Sequence, residues 1–350
     1  MKNAMKRCLF LLCVLVVLGL LQALLIPKYM ETTPEGALVG EYYVNSGGND
    51  VIFIGDCEVY ENFSPVTLWQ EYGIPSYIRG SAQQMIWQSY YLLEETLQYE
   101  TPKVVVFNVL SMKYDTPEST GSPTRREAYN RMTLDTMRWS PTKWKAIAAS
   151  LTEEEREWEG LLTYLFPILR YHERWSQLTA EDFAYWLRRD TVSHNGYLMQ
   201  TGVKPMTDSY ASAPLADYRF GENSWHYLDK MRLLCEEKGV QLVLIKAPTL
   251  YPIWWWEWDA QIAQYAEENG LLYLNMIESI EDIGIDWNTD TYDAGLHLNV
   301  WGAEKAARWL GEVLREECNL PDRREDAELS ATWSKKVALY EQEKQSRGGS

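Results

Sequence analysis

Cys57 has the side chain and the position in the sequence to support covalent chemistry. It follows the apolar run Val51–Ile54 directly after Gly55 and Asp56, in the stretch "VIFIGDC". A short β-branched run that ends at a glycine predicts a buried strand, so the thiol would stand at the tip of that strand. An ionised thiol is a strong nucleophile, although the adjacent carboxylate disfavours ionisation. A lone cysteine after a strand is also a common buried filler, so the interpretation depends on partners elsewhere in the chain.

His297 is the histidine best placed to serve as a base for such a nucleophile. Asp293 lies shortly before it in "DTYDAGLHLNVWG", a loop that precedes a predicted helix. A base needs an acid that fixes its tautomer, and we expect Asp293 in that role with Asp290 as the substitute. His226 also has an acid nearby, Asp229, but both fall inside a predicted helix. The alternative for His297 is a structural role as a cap of the following helix.

Gly80 and Asn108 fall at the ends of the second and third predicted strands. The carboxyl ends of parallel strands share one edge of an open sheet, and sites lie at that edge. The backbone N–H groups of Cys57 and Gly80, with the Asn108 side-chain amide, would supply donors to the oxyanion of an acyl-transfer intermediate. A cap at the end of the strand is the structural alternative for Asn108.

The elements that must position these residues alternate between strands and helices. Five apolar runs predict the strands: "VIFIG", "IPSYIRG", "KVVVFNVLS", "VQLVLIKAP" and "LLYLNM". Helices with apolar residues at helical spacing separate them, and two of these helices end at Gly239 and Gly270. Such an order predicts an α/β domain whose sheet has about five parallel strands joined by right-handed crossovers.

The chain divides into four predicted segments. Residues 1–30 form a basic end and an apolar span, 31–49 a linker, 50–318 the α/β domain, and 319–350 a charged tail that is helical in part. Within the domain, 112–222 predict loops and amphipathic helices that are rich in Arg and Trp. We expect this insertion to pack over the carboxyl ends of the strands.

Two helices of the insertion have recognisable starts. Thr152 and Glu155 have the spacing of a capping box at the head of "TEEEREWEGLLTYLFPILRYHERW". Thr179 stands at the start of "TAEDFAYWLRRD", which predicts another helix.

The amino end predicts a membrane anchor. Lys2, Lys6 and Arg7 precede Cys8–Ile26, a run without a charged residue that is long enough to span a bilayer as a helix. Basic residues before a span favour a cytoplasmic amino end, so the body would lie outside the cell membrane. A cleaved signal peptide is the alternative, but the sequence before "IPKYM" has no small-x-small cleavage site.

The composition excludes several classes of protein. The net charge of −17 opposes nucleic-acid binding, which needs a basic surface. Hydrophobic residues make up 46%, so the chain can bury a sizeable core. The five cysteines have neither metal-like spacing nor the C-x-x-C pattern of a redox protein, and no cofactor or metal is expected.

Four short blocks of the sequence resemble the SGNH hydrolase superfamily. They are "GDC", "RGS", "FNV" and "DAGLHLN", in the family order, and the resemblance covers Val51 to Glu317 apart from the insertion. "HLN" followed by Gly302 is similar to the membrane-anchored, extracytoplasmic branch of Gram-positive bacteria, which includes the teichoic-acid D-alanyl transfer protein and polysaccharide O-acetyltransferase components. Two departures stand out: Cys57 replaces the usual serine, and three residues rather than two separate the acid from the histidine.

The resemblance implies a fold and a function. The fold would be a three-layer, flavodoxin-like arrangement, and the protein an esterase or acyltransferase that acts on a cell-surface glycan or wall polymer. Cys57 would carry the acyl group as a thioester, His297 would act as general base and then as general acid, and Asp293 would orient the imidazole. A membrane-bound O-acyltransferase would be the partner. The alternative is a catalytically inactive protein of the same fold that binds or assembles cell-envelope polysaccharide.

Two aromatic or basic stretches are candidates for substrate binding. Trp255 and Trp256 lie in "YPIWWWEWDAQ" after the fourth strand, where exposed tryptophans would stack on sugar rings or sit at the membrane interface. Arg170 and Arg174 lie in "LRYHERW" and would contact an anionic polymer. Packing under the insertion is the alternative for the tryptophans, and a solvated or packing helix face is the alternative for the arginines.

Overall fold

The computed structural model describes residues 2–27, 38–45, 47–184, 193–207 and 210–348. Within them, five parallel strands form one sheet. The strands are β1 Val51–Gly55, β2 Ser76–Gly80, β3 Val104–Asn108, β4 Gln241–Lys246 and β5 Leu272–Asn275. Their order across the sheet is β2-β1-β3-β4-β5, which is the flavodoxin-like order. The predicted fold class is therefore confirmed.

Helices surround the sheet on both faces. In chain order they are α1 Lys2–Leu25, α2 Leu38–Asn45, α3 Cys57–Asn62, α4 Pro65–Tyr72, α5 Ile86–Tyr99, α6 Pro123–Leu134, α7 Pro141–Ser150, α8 Trp158–Leu165, α9 Ile168–Tyr171, α10 Ala180–Ala184, α11 Glu222–Lys238, α12 Trp256–Asn269, α13 Ile280–Ile283, α14 Val300–Glu317 and α15 Ala327–Gly348. Short 3-10 helices cover Val109–Lys113, Pro117–Thr120, Glu154–Arg156 and His172–Gln177.

The sheet separates two apolar cores. Successive strand residues point to opposite faces, so Ile52 and Ile54 of β1 join the core that includes α5, α11 and α12. Val51 and Phe53 join the core that includes α4 and α14. All five residues of β1 are buried, as expected for a strand covered by helices on both faces. Helices packed on both faces therefore hold the strands, and with them the carboxyl edge of the sheet, in place.

The helix ends predicted at Gly239 and Gly270 are present. Both glycines have left-handed backbone, with φ of +67° and +63°, and their N–H groups bond to carbonyls of the preceding turn. These caps close α11 and α12 immediately before β4 and β5. The strands therefore begin at the places that the sequence indicates.

The insertion is less regular than its sequence predicts. Thr152 and Glu155 exchange the two bonds of a capping box, at 3.1 and 3.2 Å, but the element that they begin is a 3-10 helix of three residues. Pro167 lacks an N–H group and separates α8 from α9, so the expected long helix is divided. The helix expected from Thr179 is present as α10, and its later residues 185–190 lie outside the described residues.

Parts of the insertion reach different sides of the domain. α7 packs on α5 beside the sheet. Asn195 bonds to Ser76 and Ile78 of β2, and the chain at 198–204 then approaches α3 and the loop that carries His297. There Leu198 N donates to the carbonyl of Tyr60 at 2.8 Å, and Lys204 N donates to that of Thr291 at 2.9 Å. The segment 198–204 therefore approaches the predicted site, whereas the contacts of α7 are with α5 and α6.

Two segments outside the sheet carry buried aromatic residues. Residues 31–49, predicted as a linker, contain α2, whose Val39 and Tyr42 are fully buried beside β2. The charged tail contains α15, where Trp333 stacks on Trp69 with ring centroids 5.2 Å apart. Both segments therefore pack on the α/β domain.

α1 is long and apolar enough to cross a membrane by length and composition. A signal sequence would have the same properties. Most of its large apolar side chains are exposed, so a protein core does not account for their character. The apolar helix expected at the amino end is thus present.

Candidate active site

Cys57 is the first residue of α3, directly above the end of β1. Asp56 caps this helix, because its Oδ1 accepts a hydrogen bond from the N–H of Glu58 at 3.2 Å. Gly55 permits the tight approach, since a Cβ there would lie 2.4 Å from Cγ2 of Val59. The sequence "GDC" thus turns the chain from strand to helix and brings the thiol to the carboxyl edge of the sheet.

The loop that carries His297 is fixed to the same helix. Asn62, the last residue of α3, accepts from Leu298 N at 2.8 Å and donates to the carbonyl of Pro248 at 3.0 Å. Within the loop, Thr291 Oγ1 donates to the carbonyl of His297 at 2.7 Å. One buried amide therefore joins the nucleophile's helix, the chain after β4 and the histidine loop.

Asp293 contacts the imidazole, and Asp290 does not. Asp293 Oδ2 lies 2.7 Å from Nδ1 of His297, and Oδ1 accepts from His297 N at 2.8 Å. The extra residue in the spacing thus allows one carboxylate to hold both the ring and the backbone. Asp290 instead pairs with Lys305 Nζ at 2.7 Å. Its substitution for Asp293 is not supported by this geometry.

Glu61 is a second carboxylate at the same ring nitrogen. Its Oε2 lies 3.2 Å from Nδ1 of His297, and both side chains are at most 7% exposed. The hydroxyl of Tyr292 hydrogen-bonds to Glu61, and the Tyr292 ring stacks on the imidazole at an interplanar angle of 15°. The sequence analysis missed Glu61. Glu61 lies four residues after Cys57, a spacing that places both on one face of a helix. A helix of only six residues is too short for this spacing to be recognised in the sequence.

Cys57 and His297 influence each other's ionisation. Burial raises the pKa of the Cys57 thiol, His297 lowers it, and Asp56 and Glu61 raise it again, so the result lies above the usual value. For His297, burial lowers the pKa, but Cys57, Glu61 and Asp293 together raise it well above its ordinary value. Nε2 is buried without a well-aligned hydrogen bond among the described residues. Burial thus disfavours the thiolate form of Cys57, whereas the neighbouring acids favour the protonated form of His297.

Asn108 faces the carboxylates of Asp56 and Glu58. Its amide nitrogen donates to Asp56 Oδ1 at 3.1 Å and to Glu58 Oε2 at 2.9 Å, and its carbonyl accepts from Ala247 N at 3.0 Å. These two contacts use both amide hydrogens. The predicted oxyanion role would require Asn108 to release one carboxylate, and in this structure the side chain braces α3 against β4.

Gly80 lies against the turn that carries the nucleophile. A Cβ at this position would meet the Gly55 carbonyl oxygen at 3.0 Å and the Tyr60 ring at 3.1 Å. A glycine is therefore needed for β2 and the head of α3 to pack this closely. Its backbone N–H stays a predicted oxyanion donor, together with that of Cys57.

Buried charges lie beneath the nucleophile. Lys246 Nζ pairs with Glu58 Oε2 at 2.8 Å, and both side chains are at most 1% exposed. Burial, followed by repulsion from Glu58, raises the pKa of Asp56 to about 6. Burial also lowers the pKa of Lys113, which follows β3 and interacts with the same acids. The sequence analysis did not identify either lysine.

The candidate substrate-binding residues are dispersed. Trp255 packs edge-on against Tyr218 with ring centroids 5.4 Å apart, whereas Trp256 is 74% exposed. Arg170 pairs with Glu127, and Arg174 pairs with Asp182. Among the described residues, no hydrogen bond or ion pair joins either arginine to Cys57 or His297. The geometry therefore does not support a role for these arginines at this site.

An exposed tyrosine pair lies beside the histidine loop instead. The rings of Tyr210 and Tyr251 are 4.9 Å apart, and Tyr210 Oη donates to the carbonyl of Ala294 at 3.1 Å. Tyr251 is 42% exposed. The rings are tilted by 31° and expose aromatic surface beside the loop that carries Asp293.

Donor atoms of Glu61, Asp293 and His297 lie within 4.8 Å of one another and could coordinate a metal ion. A cation on Nδ1 would have to displace the proton that this nitrogen shares with Asp293. Metal binding and acid–base use of His297 therefore exclude each other in this arrangement.

The sheet and its helices form a three-layer α/β fold that is consistent with the SGNH-like fold expected from the sequence, and Cys57, His297 and Asp293 lie at the carboxyl edge of this sheet. No family model matches the chain, and no curated protein matches it. Among solved structures, the chain is similar to a "putative acylhydrolase" from Bacteroides fragilis. The identity is 12%, the match covers 80% of this chain and 95% of that one, and the TM-score is 0.40.

Proposed function

We propose that this protein is a membrane-anchored, extracytoplasmic esterase or acyltransferase that uses Cys57 as its nucleophile. The observation that carries the proposal is geometric: Asp293 holds Nδ1 of His297 at 2.7 Å, and Cys57 begins α3 directly after β1. The imidazole is near enough to the thiol to lower its pKa. A nucleophile, a base and an orienting acid at the edge of a parallel sheet are the parts that acyl transfer needs.

The first half of the reaction forms a thioester. Nε2 of His297 takes the proton of the Cys57 thiol, and the sulfur attacks the carbonyl carbon of an acyl ester. The tetrahedral intermediate then expels the alcohol, which receives the proton from the imidazolium. Asp293 stabilises the imidazolium while it carries the positive charge. The acyl group is now bonded to sulfur, and the base is neutral again.

The second half transfers the acyl group. His297 takes a proton from the acceptor, either a glycan hydroxyl or water, and the acceptor oxygen attacks the thioester carbonyl. The carbon–sulfur bond breaks, and the thiolate recovers the proton from His297. The backbone N–H groups of Cys57 and Gly80 are the proposed donors to the oxyanion in both halves.

The proposed acceptor is a cell-surface glycan or wall polymer in the envelope of a Gram-positive bacterium, and the proposed partner is a membrane-bound O-acyltransferase. The resemblance of the four sequence blocks and the apolar helix α1 support this assignment. The exposed tyrosine pair Tyr210 and Tyr251 supports a carbohydrate ligand, because aromatic faces stack on sugar rings.

The second candidate is a protein of the same fold that binds or assembles polysaccharide without turnover. Two observations favour it. Burial raises the pKa of the Cys57 thiol, and both amide hydrogens of Asn108 are engaged by carboxylates. A site of this kind would keep its geometry and lack an efficient nucleophile.

Acylation of Cys57 separates the two candidates. The full chain in detergent would be incubated with p-nitrophenyl acetate, and the intact mass and modified peptide would be measured. We expect an acetyl adduct on Cys57 that is absent in Cys57→Ala and slower by about a hundredfold or more in His297→Ala. Cys235, which is buried and has its pKa raised to about 12, is the internal control thiol. An unmodified Cys57 would favour the binding protein.

A further inference from the structure

The carboxyl end of α1 packs against the helical insertion. Leu24 and Leu25 are buried, with 8% and 6% exposure, although most of the helix before them is exposed. α9 and the 3-10 helix His172–Gln177 contact this end of α1. If α1 crosses the bilayer, whatever touches its last turn lies at the membrane surface.

Arg174 fixes this contact. Its Nη1 donates to the carbonyl of Leu25 at 3.1 Å, where the last helical carbonyls lack intrahelical partners. Nη2 pairs with Asp182 at 2.8 Å, and the carboxylate is 2% exposed. A guanidinium at a helix carboxyl end also interacts favourably with the helix dipole. Arg174 thus joins the anchor to the insertion.

The same part of the insertion exposes large apolar side chains. Phe166, Leu169, Trp175 and Phe183 are 52%, 51%, 72% and 50% exposed. Leu169 belongs to α9 and Trp175 to the 3-10 helix, which are the two elements in contact with α1. Exposed apolar side chains clustered in one segment mark an interaction site, and aromatic residues are enriched at membrane interfaces.

We propose that these four residues, the interfacial patch, insert into the headgroup region of the bilayer on the side where α1 ends. The inference rests on the proposed membrane anchor and adds a second attachment point to it. Lipid is the occupant that the structure favours because two of the four residues, Leu169 and Trp175, belong to the elements that contact the apolar helix α1. Two attachments fix the orientation of the domain, so Cys57 would meet substrates at a set distance from the membrane.

Photo-crosslinking tests the proposal. The full chain would be made with p-benzoylphenylalanine in place of Trp175, reconstituted in vesicles of phosphatidylcholine and phosphatidylglycerol, and irradiated. Two control positions are matched by exposure: Leu15 in α1, at 66%, and Trp256 at the head of α12, at 74%. We expect lipid adducts at position 175 and at position 15, at least about fivefold above those at position 256.

The controls distinguish failure of the patch from failure of the anchor. Adducts at position 15 without adducts at position 175 would overturn the patch and leave the anchor standing. An absence of adducts at both would overturn the anchor and the patch with it. Equal labelling at positions 175 and 256 would also overturn the patch. So would irradiation in native membranes that crosslinks position 175 to another protein and not to lipid.

Discussion

His297 faces two carboxylates through a single ring nitrogen. Asp293 and Glu61 lie 2.7 and 3.2 Å from Nδ1, and each stabilises the imidazolium. Burial opposes this by lowering the pKa of His297, but these acids and the Cys57 thiolate raise it well above its ordinary value. A stronger base compensates for a nucleophile whose pKa burial raises, since the proton must pass from one to the other.

Removing Asp293 should move the acidic limb of the pH–rate profile. Because the carboxylate raises the pKa of His297, Asp293→Asn should lower that pKa. The base must be neutral to act, so activity should begin at lower pH while the plateau falls by roughly a hundredfold. The measurement is the acylation rate of Cys57 between acidic and alkaline pH. Asp290→Asn is the matched control, and a limb that stays in place in Asp293→Asn would contradict the prediction.

Glu61 should act as a partial substitute for Asp293. Glu61→Gln alone should lower kcat/KM by less than about tenfold, because Asp293 still fixes the ring. In the double variant Asp293→Asn with Glu61→Gln, no carboxylate remains at Nδ1. The double variant should therefore lose about 0.5 kcal/mol or more of transition-state stabilisation beyond the sum of the two single losses. If the double variant loses only the product of the two single fold-changes, Glu61 supports the fold and does not assist His297.

At the scale of elements, α3 carries most of the site. This helix of six residues provides the nucleophile, the second carboxylate and the amide that holds the histidine loop. Its position depends on the pair between Glu58 and Lys246, which joins its first turn to the end of β4 at 2.8 Å. A shift of α3 would therefore move Cys57 and Glu61 together relative to His297.

Breaking the buried pair should destabilise the domain. Glu58→Gln leaves Lys246 without its charge partner in a fully buried position, and such a loss typically costs about 3–5 kcal/mol. The double variant Glu58→Gln with Lys246→Met should recover much of this, since it leaves no unpaired buried charge. Urea unfolding in detergent measures both. Arg219→Ala, in an exposed pair with Asp217, is the control and should have no measurable effect. Equal stability of Glu58→Gln and the parent would contradict this role.

The strands and the residues at their ends follow from the sequence, whereas the contacts beneath them do not. Apolar runs that end at Gly55, Gly80 and Asn108 are local patterns, and the observed strands end at these residues. Glu58 and Lys246 are 188 positions apart, so only the folded sheet brings them together. α3 is too short to display a period, which hides the relation between Cys57 and Glu61. The amide contacts of Asn108 likewise depend on carboxylates that the sheet order brings together.

At the scale of the whole molecule, the insertion faces two directions. Its segment 198–204 runs beside the histidine loop, where Lys204 N donates to the Thr291 carbonyl at 2.9 Å. Its α9 contacts the end of α1. The described parts of the insertion therefore contact both the loop that carries His297 and the end of α1. In the proposed enzyme, the same insertion would touch both the active site and the anchor.

The body of the protein should lie outside the cell membrane. Lys2, Lys6 and Arg7 precede the apolar part of α1, and positive charge before a span favours a cytoplasmic amino end. Protease added to intact protoplasts should digest everything beyond α1 and leave only a fragment with the span. A tag placed at Met1 should stay protected, and replacing the three basic residues by Gln should reduce the correctly inserted fraction. A body protected from protease would refute the orientation and the wall-polymer function together, and a body released into the medium would identify α1 as a cleaved signal.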